Sequence, residues 1–596
     1  MDPRAALQQY FGFDDFRPGQ EAAVEAAMAG RDVLVVMPTG AGKSLCYQLP
    51  ALCRDDLTLV VSPLVALMQD QVEALERIAP GKVGLVNAQA DAATNRATLE
   101  AAQRGELRAL YVAPERFSNR AFLDAMQQTK VGLFVVDEAH CVSQWGHDFR
   151  PDYFRLADAA RWLGADAIVA STATATPEVA KDIEARLGLD DPAYVTTGFD
   201  RPNLSFGIAR CNTTKDKERR ILAALQEDGA TPAIVYAGTR KNTDKLAEQL
   251  DAALGVKVEG YHAGLDRDRR AEVQRRFMSG ETDVVVATNA FGMGIDKADV
   301  RTVCHASVPA SVEAWYQEAG RAGRDGDPGR ALLFAEAKDK SLHVFFIQRA
   351  EVDDQGIDKV AHRLFSRAEG NRYDLGVDEL SYLVTDDGDG SDQVRAIVGH
   401  LARAGVLRPA PSTPDRLRGR LEAAYDGKAR ALCRRSAGEA QNARWKQYRA
   451  VWALVEEQTC RRAALLDHFG DPAAGAPAPG VPCCDVCDPS WMPAVALNAA
   501  QRSGAVPADL DDAIISVVRR AEPAVGRTRA VEILRGGRSK VVQKYSYDGL
   551  PEYGAFDHLR SEEVLARVDA LLDGGSLRST GGAYPKLEAA QAQGLL

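Results

Sequence analysis

No run in this sequence comes near the 20 or so consecutive apolar residues that a membrane-spanning helix requires. The opening residues, "MDPRAALQQYFGFDDF", lack the basic and then apolar pattern of a secretory signal. Both absences predict a cytoplasmic protein, nucleoid-associated in a bacterium. Cysteine is also scarce: 10 residues in 596 cannot form a disulfide framework in a chain of this size. Six are scattered, and four, Cys460, Cys483, Cys484 and Cys487, lie close together late in the chain. Net positive charge is missing too. A formal charge of −11 argues against a simple basic polyanion binder, although binding follows the local field rather than the total. Residues 401–450 reverse the balance, with twelve Lys/Arg against four Asp/Glu. That stretch reads equally as a solvated helical face or as a polyanion contact.

The chain is too long for one core, and three to five domains are expected. Residues 31–345 alternate short Val/Ile-rich runs ("DVLVVMP", "LTLVVSP", "LFVVDE", "AIVYAG", "VVVATN") with amphipathic helical patterns. Such runs are strands buried on both faces, and the alternation predicts α/β architecture with parallel sheet. The turn-rich "GFDRPNLSF" (198–206) divides the stretch into two lobes, 1–205 and 206–345. Beyond 345 the pattern is mostly helical. Residues 346–445 suit a helical, winged-helix-like insertion, 446–492 hold the cysteine cluster, and 508–596 form a last small domain. In that last domain Gly581-Gly582 suggests the turn of a short wing.

"VLVVMPTGAGKSLCY" (33–47) reads as strand, glycine loop and helix start. The backbone of Thr39, Gly40, Ala41 and Gly42 would close around phosphates at the helix N-terminus. Lys43 would reach the terminal phosphates, and the Ser44 hydroxyl would ligate Mg²⁺. Met37 stands where such loops usually begin with glycine. "LFVVDEAH" (133–140) ends a strand in Asp137, a second Mg²⁺ holder, and Glu138, which would orient and deprotonate an attacking water. Upstream, "FGFDDFRPGQ" offers Gln20 to read an adenine edge, with Arg17 supporting it. "YQEAGRAGRDG" (316–326) sets two arginines three residues apart in the second lobe. Arg324 is the first candidate to stabilise charge on a transferring γ-phosphoryl group, and Arg321 the second. After the carboxylates, "DEAHCVSQWGHDFRP" places Trp145, His147, Phe149 and Arg150 where they could stack on bases or meet phosphates.

The ordered set "FGFDDFRPGQ", "MPTGAGKS", "SPLVALMQDQV", "DEAHCVSQWGHDFRP", "STATAT", "YHAGL", "ATNAFGMGIDKADVR" and "YQEAGRAGRDG" resembles the superfamily 2 DNA helicases of the RecQ family over about residues 5–345. The resemblance implies two RecA-like parallel-sheet lobes, followed by a helical zinc-binding domain and a C-terminal winged helix. It implies ATP and Mg²⁺ between the lobes and 3′→5′ movement along single-stranded DNA in repair or recombination. It implies that the aromatic-rich loop couples DNA to the ATP site, and that a single-strand-binding protein or a topoisomerase is a partner. "CRRAALLDHFG" (460–470) resembles the family's first zinc-ligand segment, and Cys484-Asp-Val-Cys487 is a half-site suited to tetrahedral Zn²⁺. The family's second segment reads CxxCxxC, whereas Cys483 and Cys484 are adjacent here, which leaves a three-thiolate site open beside a four-thiolate one. "ILRGGRSKVVQKYSYDGL" (533–550) resembles the RecQ C-terminal winged helix, with Arg535, Arg538, Lys540 and Lys544 toward phosphates. Two other readings stand beside unwinding: a DNA-stimulated ATPase that remodels or anneals DNA, and a non-catalytic DNA-junction scaffold.

Overall fold

The computed structural model describes residues 2–63, 65–87, 90–143, 153, 155–211, 213–291, 297–385, 390–410, 412–413, 415–471, 475–493, 509–580 and 585–589. They divide into two compact units, Met1–Cys211 with Arg220–Pro493, and Asn212–Arg219 with Ala494–Leu596.

The first lobe is a seven-stranded sheet built from β1 (Val33–Val36), β2 (Leu57–Val61), β3 (Val83–Val86), β4 (Ala109–Val112), β5 (Val131–Asp137), β6 (Ala167–Thr172) and β7 (Ala193–Thr196). Their spatial order is β3-β4-β2-β5-β6-β1-β7, and every pairing is parallel. The seven residues of β5 are all buried, as expected for a strand covered by helices on both faces. The order makes β1, β6 and β5 neighbours. Residues far apart in the chain, those after Val36, Thr172 and Asp137, therefore leave the sheet side by side at its carboxyl edge, where ligands of open α/β sheets bind.

The second lobe repeats the plan with six parallel strands: β8 (Leu204–Cys211), β9 (Ala233–Tyr236), β10 (Val258–Tyr261), β11 (Val284–Ala287), β12 (Thr302–His305) and β13 (Gly329–Glu336). Their order is β10-β11-β9-β12-β13-β8, so β8 is an edge.

Residues 354–421 form a small unit of helix Asp354–Arg367, β14 (Arg372–Gly376), helices Val377–Ser381 and Ser391–Arg403, and an antiparallel pair, β15 (Leu407–Ala410) and β16 (Arg416–Leu421). This is the element order of a winged helix, closed around Ile357, Val360, Leu364, Leu375, Leu380, Ile397 and Leu401. A 30-residue helix, Gly427–Glu456, then starts on the Asp426 cap and runs about 45 Å. Its first turns bury Ala429 and Cys433 in the insertion's core. Its last turns bury Val451, Trp452 and Val455 among residues of the second lobe, next to the cysteine segment. The indole of Trp452 donates to His343 Nδ1 at 3.2 Å while His343 Nε2 meets the Val308 carbonyl at 2.7 Å. Burial lowers the pKa of His343, which favours the neutral ring that this pair of contacts requires.

In the second unit, helices Leu510–Arg520, Arg527–Leu534, Lys540–Lys544 and Ser561–Asp573 pack around Ile514, Val517, Leu534, Val564 and Val568. A three-residue hairpin of β17 (Leu577–Ser579) and β18 (Leu587–Ala589) follows. Gly581 and Gly582 lie outside the described residues.

Candidate nucleotide site and zinc centre

The glycine loop leaves β1 beneath the side chain of Gln20. Gln20 Nε2 donates to the carbonyls of Ala41 and Gly42 at 3.2 and 3.1 Å, and its Oε1 accepts from the Arg17 backbone at 2.9 Å. Arg17 in turn donates to the Gly40 carbonyl at 2.8 Å. At Gly42 φ is +82°, which favours glycine, and a Cβ there would stand 2.5 Å from Gln20 Nε2 and push that side chain off the loop. Lys43 Nζ bonds the Met37 carbonyl at 3.2 Å. Burial pushes its pKa down, against the pull of Glu138 and Asp137. Ser44 precedes helix Leu45–Cys53, and its Oγ accepts from Gln71 at 3.3 Å.

Asp137 ends β5 almost fully buried, with Ser62 Oγ donating to it at 3.3 Å. Burial, and then the neighbouring Glu138 charge, push its pKa up. Glu138 itself turns into the left-handed region, with φ +49°. That turn brings its carboxylate 3.3 Å from His140 Nδ1, which also lies 3.0 Å from Thr172 Oγ1 at the end of β6. The Glu138 carboxylate is thereby joined to the "STATAT" turn. Tyr153 steadies the same bend by donating to the Asp137 carbonyl at 3.0 Å. A hydroxyl and a carboxylate, Ser44 and Asp137, are the oxygen donors a hard divalent cation takes. Held there, Mg²⁺ would offset phosphate charge.

The two arginines of the second lobe have different surroundings. Arg321 is 5% exposed and packs against Tyr236 inside its own lobe. Arg324 reaches across: a Cβ on Gly40 would stand 3.5 Å from its Cγ. Of the pair, Arg324 is the one beside the phosphate loop.

At the cysteine cluster all four sulfurs lie within 4.8 Å of one another. Cys460 Sγ is 3.6 Å from that of Cys483 and 3.9 Å from that of Cys484. A tetrahedron of Zn–S bonds near 2.3 Å separates its sulfurs by about 3.8 Å, so the four fit one ion. Cys484 forms an isolated parallel bridge with Phe206 of β8, and the chain then turns, so that Cys487 N donates to Cys484 Sγ at 3.4 Å. Phe206 N donates to the Cys483 carbonyl and Asp485 N to the Phe206 carbonyl, both at 3.2 Å. This covers the exposed edge of the second sheet. Arg461, fully buried, closes the loop with two 3.1 Å bonds to Asp485.

Family models match in the same order along the chain: DEAD/DEAH box helicase at 17–183, helicase conserved C-terminal domain at 216–326, RecQ zinc-binding at 426–488 and RQC domain at 510–594. The chain is 34% identical over 482 residues to the probable ATP-dependent DNA helicase RecS of Bacillus subtilis, covering 81% of this chain and 91% of that one. The chain belongs to the RecQ family of DNA helicases. It is also 41% identical to the ATP-dependent DNA helicases RecQ of Pasteurella multocida and Bacillus subtilis, each match covering 59% of this chain. Of those two relatives' own lengths it covers 55% and 59%. The protein is an ATP-dependent DNA helicase that uses Mg²⁺ and zinc.

Within this RecQ-family chain Arg17, Gln20, Thr39, Gly40, Ala41, Gly42, Lys43, Ser44, Asp137, Glu138 and Arg324 converge on one crevice. Trp145, His147, Phe149 and Arg150 lie outside the described residues, as does the side chain of Lys540. Arg538 is exposed. Arg535 turns inward and donates to the Leu559 carbonyl at 2.7 Å, a structural tie rather than a free phosphate contact.

Sequence reasoning missed Arg201. Its guanidinium donates to the Thr39 carbonyl of the phosphate loop at 3.2 Å and to the carbonyls of Gly320, Ala322 and Gly323 at 3.0–3.1 Å. One side chain therefore fastens the phosphate loop to the arginine turn. Arg462, close to Cys460 of the cysteine cluster, holds that linker through Asp200 and the Arg201 carbonyl. The only sequence signal for Arg201 was its place in the turn-rich break between the lobes.

Proposed function

We propose that the chain moves 3′→5′ on single-stranded DNA and unwinds duplexes in repair or recombination. It acts in the cytoplasm, alongside a single-strand-binding protein or a topoisomerase. The observation that carries the reading is the crevice itself: Lys43, Asp137 and Glu138 on one lobe, with Arg324 of the other beside Gly40.

In this reading Lys43 and the loop N–H groups take the β- and γ-phosphates, and Glu138 accepts a proton from the attacking water. Arg324 meets the charge that develops on the γ-phosphoryl group. His140 passes the position of Glu138 to Thr172, and Arg201 passes phosphate-loop position to the arginine turn. Closure and opening of the lobes would then step the strand past the residues after Glu138. Ser44 and Asp137 are the proposed Mg²⁺ holders, and Cys460, Cys483, Cys484 and Cys487 the zinc ligands.

The test is strand displacement with ATP on duplexes carrying a 3′ tail, a 5′ tail or none, beside Lys43→Ala. Displacement from the 3′ tail alone, lost in the variant, is expected. DNA-stimulated hydrolysis without displacement would replace this reading with a remodelling ATPase, and binding without hydrolysis would replace it with a scaffold.

A further inference from the structure

The basic stretch at 401–450 has no part in the nucleotide cycle, and its arginines are placed in an unusual way. In the three-stranded sheet β14-β16-β15, Arg372 lies directly opposite Arg420, and Arg420 directly opposite Arg408. Three like charges thus stand in one row across three strands, at Cα separations near 5 Å. Directly opposed like charges destabilise a sheet. Arg416 and Arg418 share the face, since alternate residues of β16 point the same way. The other face, with Tyr373, Leu375 and Leu407, is buried in the insertion's core. Asp374 is the carboxylate of the row below and is already held by Arg416 and Arg418 at 2.6 and 2.8 Å. Among the described residues no carboxylate pairs with Arg372 or Arg420.

This face is not open to solvent on all sides. It forms one wall of a groove of about 880 Å³ whose other wall is Arg116 and Asn119 of the first lobe. Seven arginines and two carboxylates line it. Arg408 fixes the two walls together by donating to the Phe117 carbonyl at 3.3 Å, and Arg155 does so by donating to the Pro409 carbonyl at 3.1 Å. The groove therefore joins a motor lobe to the insertion, with repelling cations along its floor. Such a row is stable in the presence of a polyanion.

We propose that this groove binds the phosphate backbone of duplex DNA at a site separate from the path between the two motor lobes. Duplex is favoured over single strand because, among the described residues, the groove offers arginine forks and no exposed aromatic ring for unstacked bases. The assignment rests on DNA being the substrate, but it is independent of ATP hydrolysis and of direction of movement.

The experiment measures binding of the full chain, without ATP, to a blunt duplex and to a single strand across a salt series. Arg372→Ala/Arg420→Ala is expected to weaken duplex binding about tenfold or more and to flatten the salt slope by about two. Asp374→Asn frees two arginines and is expected to tighten duplex binding. ATP hydrolysis stimulated by saturating single strand should be unchanged in both variants, which shows an intact motor. The double variant should melt no lower than the parent, since it removes repulsion. Unchanged duplex affinity in both variants would overturn the proposal. So would an effect confined to single strand, or displacement of an acidic peptide probe by the same substitutions with DNA binding intact. A failure of strand displacement alone would bear on the proposed unwinding activity and not on this groove.

Discussion

The nucleotide crevice and the zinc loop are both built from charged or ionisable side chains at the edge of a parallel sheet, yet they stand in opposite relations to stability. In the crevice, burial and then the Glu138 charge raise the pKa of Asp137, and burial depresses that of Lys43. These groups are arranged for a ligand and strain the chain without one. In the zinc loop the groups around the sulfurs are mostly tied down by protein partners. Cys483 and Asp485 pair with β8, and Arg461 pairs with Asp485. Arg462 holds the linker, and the sulfurs sit at the spacing one ion needs. The difference teaches that substitutions can be sorted by the sign of their effect on folding. Crevice variants should lose chemistry and keep or gain stability, and zinc-loop variants should lose stability first.

The largest expected effect is on hydrolysis. Arg324→Ala should cut DNA-stimulated ATP hydrolysis by about 10³–10⁵, the range for an arginine that meets the transferring phosphoryl group, with an unchanged melting profile. Arg321→Ala removes a buried guanidinium beside Tyr236 and should lower the melting temperature instead. Equal losses of stability in the two variants would erase the distinction drawn between them. Next comes Arg201→Ala, read as kcat against KM for ATP. Misplacement of about 1 Å between the loop and the arginine turn costs about 10²-fold in kcat. A pure KM effect would show that Arg201 binds nucleotide rather than fastening the lobes.

For the zinc loop, Cys483→Ser and Cys484→Ser, made separately, are expected to release metal by mass spectrometry and to lower a thermal transition by more than about 5 °C, a few kcal/mol in a domain of this size. Full metal content in the Cys483 variant would restore the three-thiolate alternative that the sequence left open.

The legibility of these sites follows from how local each one is. The glycine loop and Asp137–Glu138 are short motifs at strand ends, so residue type and spacing nearly specify the chemistry. The parallel-sheet lobes were legible for the same reason, because strands such as Val131–Asp137 carry no charge before their last residue and are buried throughout. The fastening role of Arg201 was not legible, because it acts on backbone carbonyls, which carry no sequence signal. The row Arg372–Arg420–Arg408 depends on β-strand register, which a sequence of alternating arginines does not fix. Arg535 and Arg538 look alike in "LRGGRS", but one caps its own domain and the other faces solvent. The departure from the family's CxxCxxC spacing left a three-thiolate site open at Cys483–Cys484. What seats the segment is its bridge to Phe206 of β8, a partner far away in the chain.

The smallest effect is the one that tests the comparison most directly. Burial and the Glu138 charge raise the pKa of Asp137 in the folded chain. An acid with a raised folded pKa stabilises the fold below its unfolded value, near 3.9, and loses that contribution as pH rises through the folded value. Stability of the first lobe should therefore fall as pH rises from about 4 to about 7. Asp137→Asn removes the buried charge while keeping the Ser62 contact within reach. The variant should melt about 2 °C above the parent at pH 8, with the gap closing only as pH falls to the unfolded value near 3.9, while hydrolysing no ATP. Adding Mg²⁺ and a non-hydrolysable ATP analogue should reverse the order at pH 8, because only the parent keeps the carboxylate that answers the cation. A variant that melts lower at pH 8 without ligand would place Asp137 among the structural charges, like Asp485 in the zinc loop, and the contrast between the two regions would fail at its central residue.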